Sequence, residues 1–188
     1  NLKGDQLALI AFAGDSFIQC PLTDDIMAVN LFLDDISTDT IPTQGTAISE
    51  ALKISKKAFV GEKTKGKFLI LITDGEETVG DPIPVAEDLK KEGITVFTIG
   101  IGDKKGVPIP IKEKGSTHYL KDRQDNIVLT KLDEDTLKKI ADITGGKYFY
   151  SNLTKNDIDY ITTVLKKYKR TLLAKEEMLE GINRYYIP

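Results

Sequence analysis

Three stretches of the chain are continuously apolar: LALIAFA (Leu7–Ala13), FLILIT (Phe68–Thr73) and ITVFTIGIG (Ile94–Gly102). A shorter one, KYFYS, runs from Lys147 to Ser151. Short runs rich in branched and aromatic residues, with no alternation, predict strands covered on both faces, as in a parallel sheet flanked by helices. FIQCPL (Phe17–Leu22) follows Gly14-Asp15 and reads as an antiparallel hairpin partner of the first run. Pro21 lacks a backbone donor, which places that partner at an edge.

Helical spacing fills the intervals. Thr23 is the expected N-cap of a first helix, with Asp24 and Asp25 in its first turn and apolar residues through Ile36. Thr46 opens a second, whose Ile48, Ala51, Leu52, Ser55 and Phe59 share one face. Asp81-Pro82 starts a third that turns Val85 and Leu89 inward and stops at Gly93. Asp133 caps a fourth carrying Leu137, Ile140 and Ala141, ended by Gly145-Gly146. Thr154-x-x-Asp157 opens a long fifth, to about residue 180.

The resulting order, β-β-α-α-β-α-β-α-β-α, predicts one α/β domain over residues 1–188. Its sheet should be doubly wound and mostly parallel, with helices on both faces. Between about residues 103 and 132 the pattern departs from this alternation. Turn pairs Lys114-Gly115 and Asp125-Asn126, set between β-prone runs, predict a hairpin excursion there.

Composition narrows the function classes. A net charge of −3 gives no basic field for nucleic acid. The one basic run, Lys166 to Arg170, lies on the fifth helix ahead of Glu176, Glu177 and Glu180, which reads as a solvated mixed-charge face. One Cys and one His, Cys20 and His118, cannot assemble a zinc or iron–sulfur centre. Cys20 reads as a small buried hydrophobe, and His118 as an incidental hairpin residue. No apolar run reaches the roughly 20 residues that a membrane-spanning helix needs.

Two glycine patterns are decoys. GEKTKGKF (Gly61–Phe68) nearly spells a phosphate-binding loop, but Phe68 replaces the magnesium-binding hydroxyl and the glycines precede a strand. Gly100-Ile101-Gly102 with Gly106 lacks the dinucleotide-binding spacing, and a hairpin follows it.

Asp74 carries more. Ligands of open parallel sheets bind beyond the carboxyl ends of the strands, where Asp74 follows FLILIT, and Gly75 allows the tight turn presenting it. Glu76 and Glu77 follow at once, as rim or solvent-facing residues. Thr46, after the Thr43-Gln44-Gly45 loop, is the expected companion at the same edge, with simple helix capping as its alternative role. A hydroxyl and a carboxylate with no nearby His or Cys are ligands for a hard cation, Mg²⁺ or Mn²⁺.

These motifs resemble the von Willebrand factor A (VWA) domain family. LILITDGEE follows a G-T-A-I helix start, with LALIAFAGDSFIQCPLT upstream. PIPIKEKGSTHYLKD and LDEDTLKKIADITGGKYFYS look like the bacterial Bat-type, aerotolerance-related members. The resemblance spans about residues 4 to 170. It implies a metal-ion-dependent adhesion site (MIDAS), built from D-x-S-x-S, a Thr and an Asp. Thr46 and Asp74 match the last two elements, and Gly45, Gly75 and Glu76 would form the ligand-binding rim. D-x-S-x-S occurs nowhere in the chain, and by analogy would precede residue 1. The family's first strand, which carries it, would lie between LALIAFA and FLILIT. The domain is thus expected to be N-terminally incomplete, without a central strand, and weak or inactive in binding Mg²⁺ by itself.

By resemblance, the function is a non-catalytic protein-binding or scaffold module. Its metal would capture a carboxylate from a protein partner. Other Bat-type VWA proteins and MoxR-type AAA+ ATPases are the implied partners, and a membrane-anchored bacterial protein with a periplasmic VWA domain the implied setting. Tyr185 and Tyr186 would then be interfacial anchors. Two alternatives stand beside it: a scaffold with an inactive metal site, and a Mg²⁺-dependent phosphatase using Asp74 as nucleophile.

Overall fold

The computed structural model describes residues 5–38, 40–43, 45–61, 66–108, 110–113, 116–121, 124–152 and 154–185. The strand assignments from hydrophobic runs hold. Strand β1 (Leu7–Phe12) pairs antiparallel with β2 (Ser16–Thr23), whose Ser16 sits opposite Phe12. Strands β3 (Lys67–Thr73) and β4 (Ile94–Gly100) run parallel in unbroken register from Lys67↔Ile94 to Thr73↔Gly100. The strand β9 (Tyr148–Tyr150) adds to the far side of β4, also parallel.

Among the described residues, β1–β2 and β3–β4–β9 are separate sheets, with no ladder joining β1 to β3. The family resemblance expects a further strand at this place. Every residue of β1 is only half-buried. In β3, Leu71 is 4% exposed, whereas Ile70 and Ile72 on the opposite face are 49% and 54% exposed. Coverage of both faces, expected for all three long strands, is complete only for β4.

That strand is the hub of the core. Alternate residues leave opposite faces of a strand, so Ile94 and Val96 face one way and Phe97 and Ile99 the other. The first pair packs with Leu71 against three helices, through Ile48 and Leu52 of α2 (Ile48–Ala58), Leu89 of α3 (Pro82–Lys91) and Ile140 of α4 (Glu134–Thr144). The second pair packs with Phe149 against Ile161 of α5 (Lys155–Tyr185), and Phe97 meets Tyr168 edge-on at 5.3 Å. Helices on both faces of a parallel sheet are the doubly wound α/β arrangement the alternation predicts. Truncating one of these buried Leu or Ile side chains to Ala costs about 2–5 kcal/mol.

Capping residues place the helices. Asp81 accepts from the Ile83 amide with Pro82 at the first helical position, and Asp133 accepts from the Asp135 and Thr136 amides. Thr154 and Asp157 form the expected reciprocal box, each accepting from the other's amide. Two expectations are corrected. Helix α1 (Ile26–Asp34) is capped by Asp25, which accepts from the Met27 and Ala28 amides, while the Thr23 hydroxyl accepts from the Asp25 amide one step earlier. Thr46 does not open α2: the cap position falls on Ala47, which offers no side-chain bond.

Cys20 is buried, as expected of a small hydrophobe. Residues 62–65 of the GEKTKGKF segment, the Lys114-Gly115 turn and Tyr186 lie outside the described residues.

The excursion after β4 is a nested hairpin. Strands β5 (Val107–Pro108) and β8 (Leu129–Thr130) pair antiparallel at its base, and β6 (Pro110–Glu113) pairs with β7 (Ser116–Tyr119) beyond them. At the second expected turn, Asp125 adopts a positive φ of 66° within the Lys121↔Ile127 bridge.

Candidate metal-binding edge

Four loop segments converge beyond the carboxyl end of β3. They are the β1–β2 turn, the loop before α2, the loop after β3 and the last residues of the excursion. The first two are joined through the backbone, Gly14 donating to the Thr43 carbonyl at 3.0 Å and Ala47 to the Ala13 carbonyl at 2.7 Å.

Asp74 stands directly after β3, half-buried. Its Oδ1 accepts from the Glu76 amide at 3.2 Å, closing a tight turn around Gly75. Gly75 has a φ of +82°, and a Cβ there would lie 2.5 Å from the Asp133 carbonyl oxygen and 3.0 Å from Leu137 Cγ. Only glycine fits both the conformation and the space, so the turn is locked against the start of α4. The Asp133 amide donates to the Asp74 carbonyl at 2.8 Å and completes that lock.

Thr46 lies on the facing loop. Thr78, four residues past Asp74, holds its backbone from both sides. The Thr46 amide donates to Thr78 Oγ1 at 2.8 Å, and that hydroxyl and the Thr78 amide donate to the Thr46 carbonyl at 3.0 and 2.8 Å. Gly45 makes this approach possible, since a Cβ on it would meet Thr78 Oγ1 at 2.8 Å, at a φ of +119°. Thr46 and Asp74 therefore sit on two loops bound through Thr78, with no direct side-chain bond between them among the described residues.

The two glutamates have separate partners. Glu77 Oε2 accepts from the Ser49 amide at 3.0 Å and Oε1 from the Val79 amide at 3.1 Å. It thereby satisfies the α2 terminus that Ala47 leaves uncapped, with negative charge at the favourable end of the helix. Glu76 turns toward the excursion, its Oε1 accepting from the Lys131 amide at 3.0 Å. Thr130 donates its hydroxyl to Asp74 Oδ2 at 3.1 Å, with Glu76 Oε2 at 3.5 Å. Sequence reasoning missed Thr130, which lies 56 residues from Asp74 along the chain and belongs to no local motif.

Beside this edge, Glu134 at the first position of α4 accepts from the Tyr148 hydroxyl at 2.7 Å and pairs with Lys104 at 3.0 Å and Lys138 at 3.3 Å. The Tyr148 bond first, then the two lysines, hold the Glu134 carboxyl down at about 2. Burial first, and then Glu134 itself, push the Tyr148 hydroxyl up. Asp133 is also lowered: burial opposes this, but the Thr136 hydroxyl and the Thr136 and Asp135 amides outweigh it.

The side-chain donors these two loops offer are the Asp74 carboxylate and, on the facing loop, the Thr46 hydroxyl, both oxygens. That set matches a hard divalent cation in kind, while its number falls short of six, leaving room for waters or further oxygens. Among the described residues, no group of three or more His, Cys, Asp or Glu is placed to hold a metal.

The von Willebrand factor type A domain family matches residues 1–164. The Bacillus subtilis (strain 168) protein YwmC is 35% identical over 134 residues, covering 70% of this chain and 47% of that protein. The chain thus spans about half the length of the curated relatives it matches. The structure of BatB from Bacteroides thetaiotaomicron superposes with a TM-score of 0.79 at 34% identity, covering 87% of this chain and 78% of that one. An aerotolerance-related membrane protein from Bacteroides fragilis superposes with a TM-score of 0.76 at 32% identity, covering 92% and 80%. The chain belongs to the von Willebrand factor type A domain family, and its structural likeness runs to the Bat-type, aerotolerance-related members.

Proposed function

We propose that this domain is a non-catalytic protein-binding module whose Asp74–Thr46 edge takes part in a MIDAS-type divalent metal site. One observation supports the reading: Thr78 ties the Thr46 backbone to the loop that carries Asp74, and Thr46 does not cap α2, whose Ser49 amide goes to Glu77 instead. The plain structural explanation for a Thr at that position is therefore not the one the fold uses.

In this reading Asp74 supplies charge to Mg²⁺ or Mn²⁺ and Thr46 a neutral oxygen, each directly or through water. A cation so held stays electrophilic enough to take a carboxylate from a protein partner. Gly45 lets the two loops approach closely, Gly75 seats the Asp74 turn against the start of α4, and Glu76 borders them. Without D-x-S-x-S, affinity in residues 1–188 alone should be weak. Residues encoded upstream that restore this motif and a strand between β1 and β3 would strengthen it.

The setting we propose follows the Bat-type likeness: a membrane-anchored bacterial protein with this domain in the periplasm, meeting other Bat-type VWA proteins and MoxR-type ATPases. No described helix is long and apolar enough to cross a membrane.

Calorimetry with Mg²⁺ and Mn²⁺ tests the site, the expected outcome being weak cation binding that Asp74→Asn removes. An aryl phosphate assay with Mg²⁺ tests the class: turnover abolished by Asp74→Asn would replace the binding module with a phosphatase.

A further inference from the structure

We infer that Thr130 is a positioning residue for the Asp74 site, delivered by the hairpin excursion, and that Glu76 anchors this strap instead of ligating the cation. The inference rests on the reading of Asp74 as a cation-site carboxylate and adds to it the residue that sets the carboxylate's orientation.

A carboxylate at a strand end turns about two side-chain torsions. Asp74 Oδ1 is fixed locally by the Glu76 amide, a bond any Asp-Gly-x turn can make. Its Oδ2 is fixed only from a distance, by the Thr130 hydroxyl at 3.1 Å. That hydroxyl does not wander, because its backbone is held independently of both carboxylates. Thr130 pairs with Val107 in the β5–β8 ladder. Two residues on, the Leu132 amide donates to the Asp103 carbonyl at 3.1 Å, and the Asp133 amide to Asp74's own carbonyl at 2.8 Å. The base of the excursion is thus stitched to the loop it serves, and one oxygen of Asp74 is aimed before any cation arrives. Oδ1 also takes the Thr73 hydroxyl at 3.4 Å, whereas Oδ2 keeps a second lone pair beside the Thr130 bond, so Asp74 is oriented with Oδ2 still able to ligate.

Glu76 completes the arrangement. Two acidic groups so close repel each other, and a third from a partner would add to the repulsion. The Lys131 amide at 3.0 Å and the edge of the Thr130 hydroxyl at 3.5 Å both face Glu76. Its charge is turned to the strap, which leaves the open side of Asp74 to the cation and its ligand. A hydroxyl has one proton to donate, and the shorter distance assigns it to Asp74. Outer partners of this kind typically cost a site ten- to a hundredfold in metal affinity when removed.

The test is Mn²⁺ titration of the 188-residue chain into the millimolar range, read by water-proton relaxation. Wild type is compared with Asp74→Asn, Thr130→Val, Thr130→Ser and Glu76→Gln, with circular dichroism to confirm folding. We expect Asp74→Asn to abolish binding and Thr130→Val to weaken it about tenfold. Thr130→Ser, which keeps the hydroxyl, should stay within about twofold of wild type, and Glu76→Gln should weaken binding far less than Asp74→Asn does. Should Thr130→Val not fold, Thr130→Ala against Thr130→Ser makes the same comparison. Binding that depends on Asp74 but is equal in the Val and Ser variants overturns the role of Thr130 and leaves the cation reading standing. A loss in Glu76→Gln as large as in Asp74→Asn makes Glu76 a ligand and overturns its anchoring role. Absence of any Asp74-dependent binding removes the cation reading for this chain, and the positioning role with it.

Discussion

The Thr78 hydroxyl accepts from the Thr46 amide at 2.8 Å and donates to the Thr46 carbonyl at 3.0 Å. One side chain thus satisfies both polar groups of the residue it faces and fixes the separation of two loops that are 32 positions apart in sequence. Thr78→Val keeps the shape and removes both bonds. It should destabilise the domain by about 1–2 kcal/mol, since two partly solvated hydrogen bonds are lost. The check is chemical denaturation, with an unchanged m-value and a lower midpoint.

Gly75→Ala should cost more. Alanine is strained at a φ of +82°, and its Cβ would lie 2.5 Å from the Asp133 carbonyl, a backbone atom that cannot swing aside. A loss of about 2 kcal/mol or more is expected, combining conformational strain with overpacking. A midpoint within error of wild type in urea would show that the turn relaxes freely.

Glu134 makes stability depend on acid. The Tyr148 hydroxyl and the two lysines hold its folded-state carboxyl down to about 2, below the ordinary 4.5 of a glutamate. The sign follows from linkage: a depressed carboxylate favours the folded state above its unfolded value, and that contribution is lost as pH falls through 4.5 toward 2. Above about pH 5 the term is constant. Tyr148→Phe removes the largest cause of the depression, so its stability curve should fall less steeply between pH 4.5 and 2 than that of wild type. Parallel curves for the two proteins would refute the assignment.

Ile72→Thr should be nearly neutral, within about 0.5 kcal/mol, because the side chain is 54% exposed at the open edge of β3. Leu71→Ala, one residue away on the buried face, should cost about 2–5 kcal/mol. Ile72→Thr should also raise the concentration at which the chain stays monodisperse by light scattering, since exposed apolar strand edges promote association.

Glu77→Ala should lower stability by about 1 kcal/mol through the uncapped start of α2, whereas Glu50→Ala in the same helix should be close to silent. Glu77 receives two backbone amides, whereas Glu50 pairs with exposed Lys53 at 2.5 Å. Thermal melts of the two variants separate these outcomes.

Which segments become which elements was legible along the chain, because local rules govern them. Continuous apolar runs could bury only as sheet core, three-four spacing could bury only as one helix face, and Asp81, Asp133 and the Thr154–Asp157 box sat where exposed amides need acceptors. The same pattern also placed Asp74 and Gly75 at a strand end, since a buried run followed by Asp-Gly leaves little else for the chain to do. Chain distance hid the rest. That Thr46 is released from capping depends on Glu77 reaching across from another loop, 28 positions away from Ser49. Thr130 reaches Asp74 only because the β5–β8 ladder folds the excursion back over β3. The continuous run of β3 predicted burial on both faces, but among the described residues Ile70 and Ile72 stay about half exposed beside the break between β1 and β3. Periodicity reports what a segment can bury. What stands opposite it is set by the folded chain, because hydrogen bonds and contacts between loops depend on positions in space that no local spacing encodes.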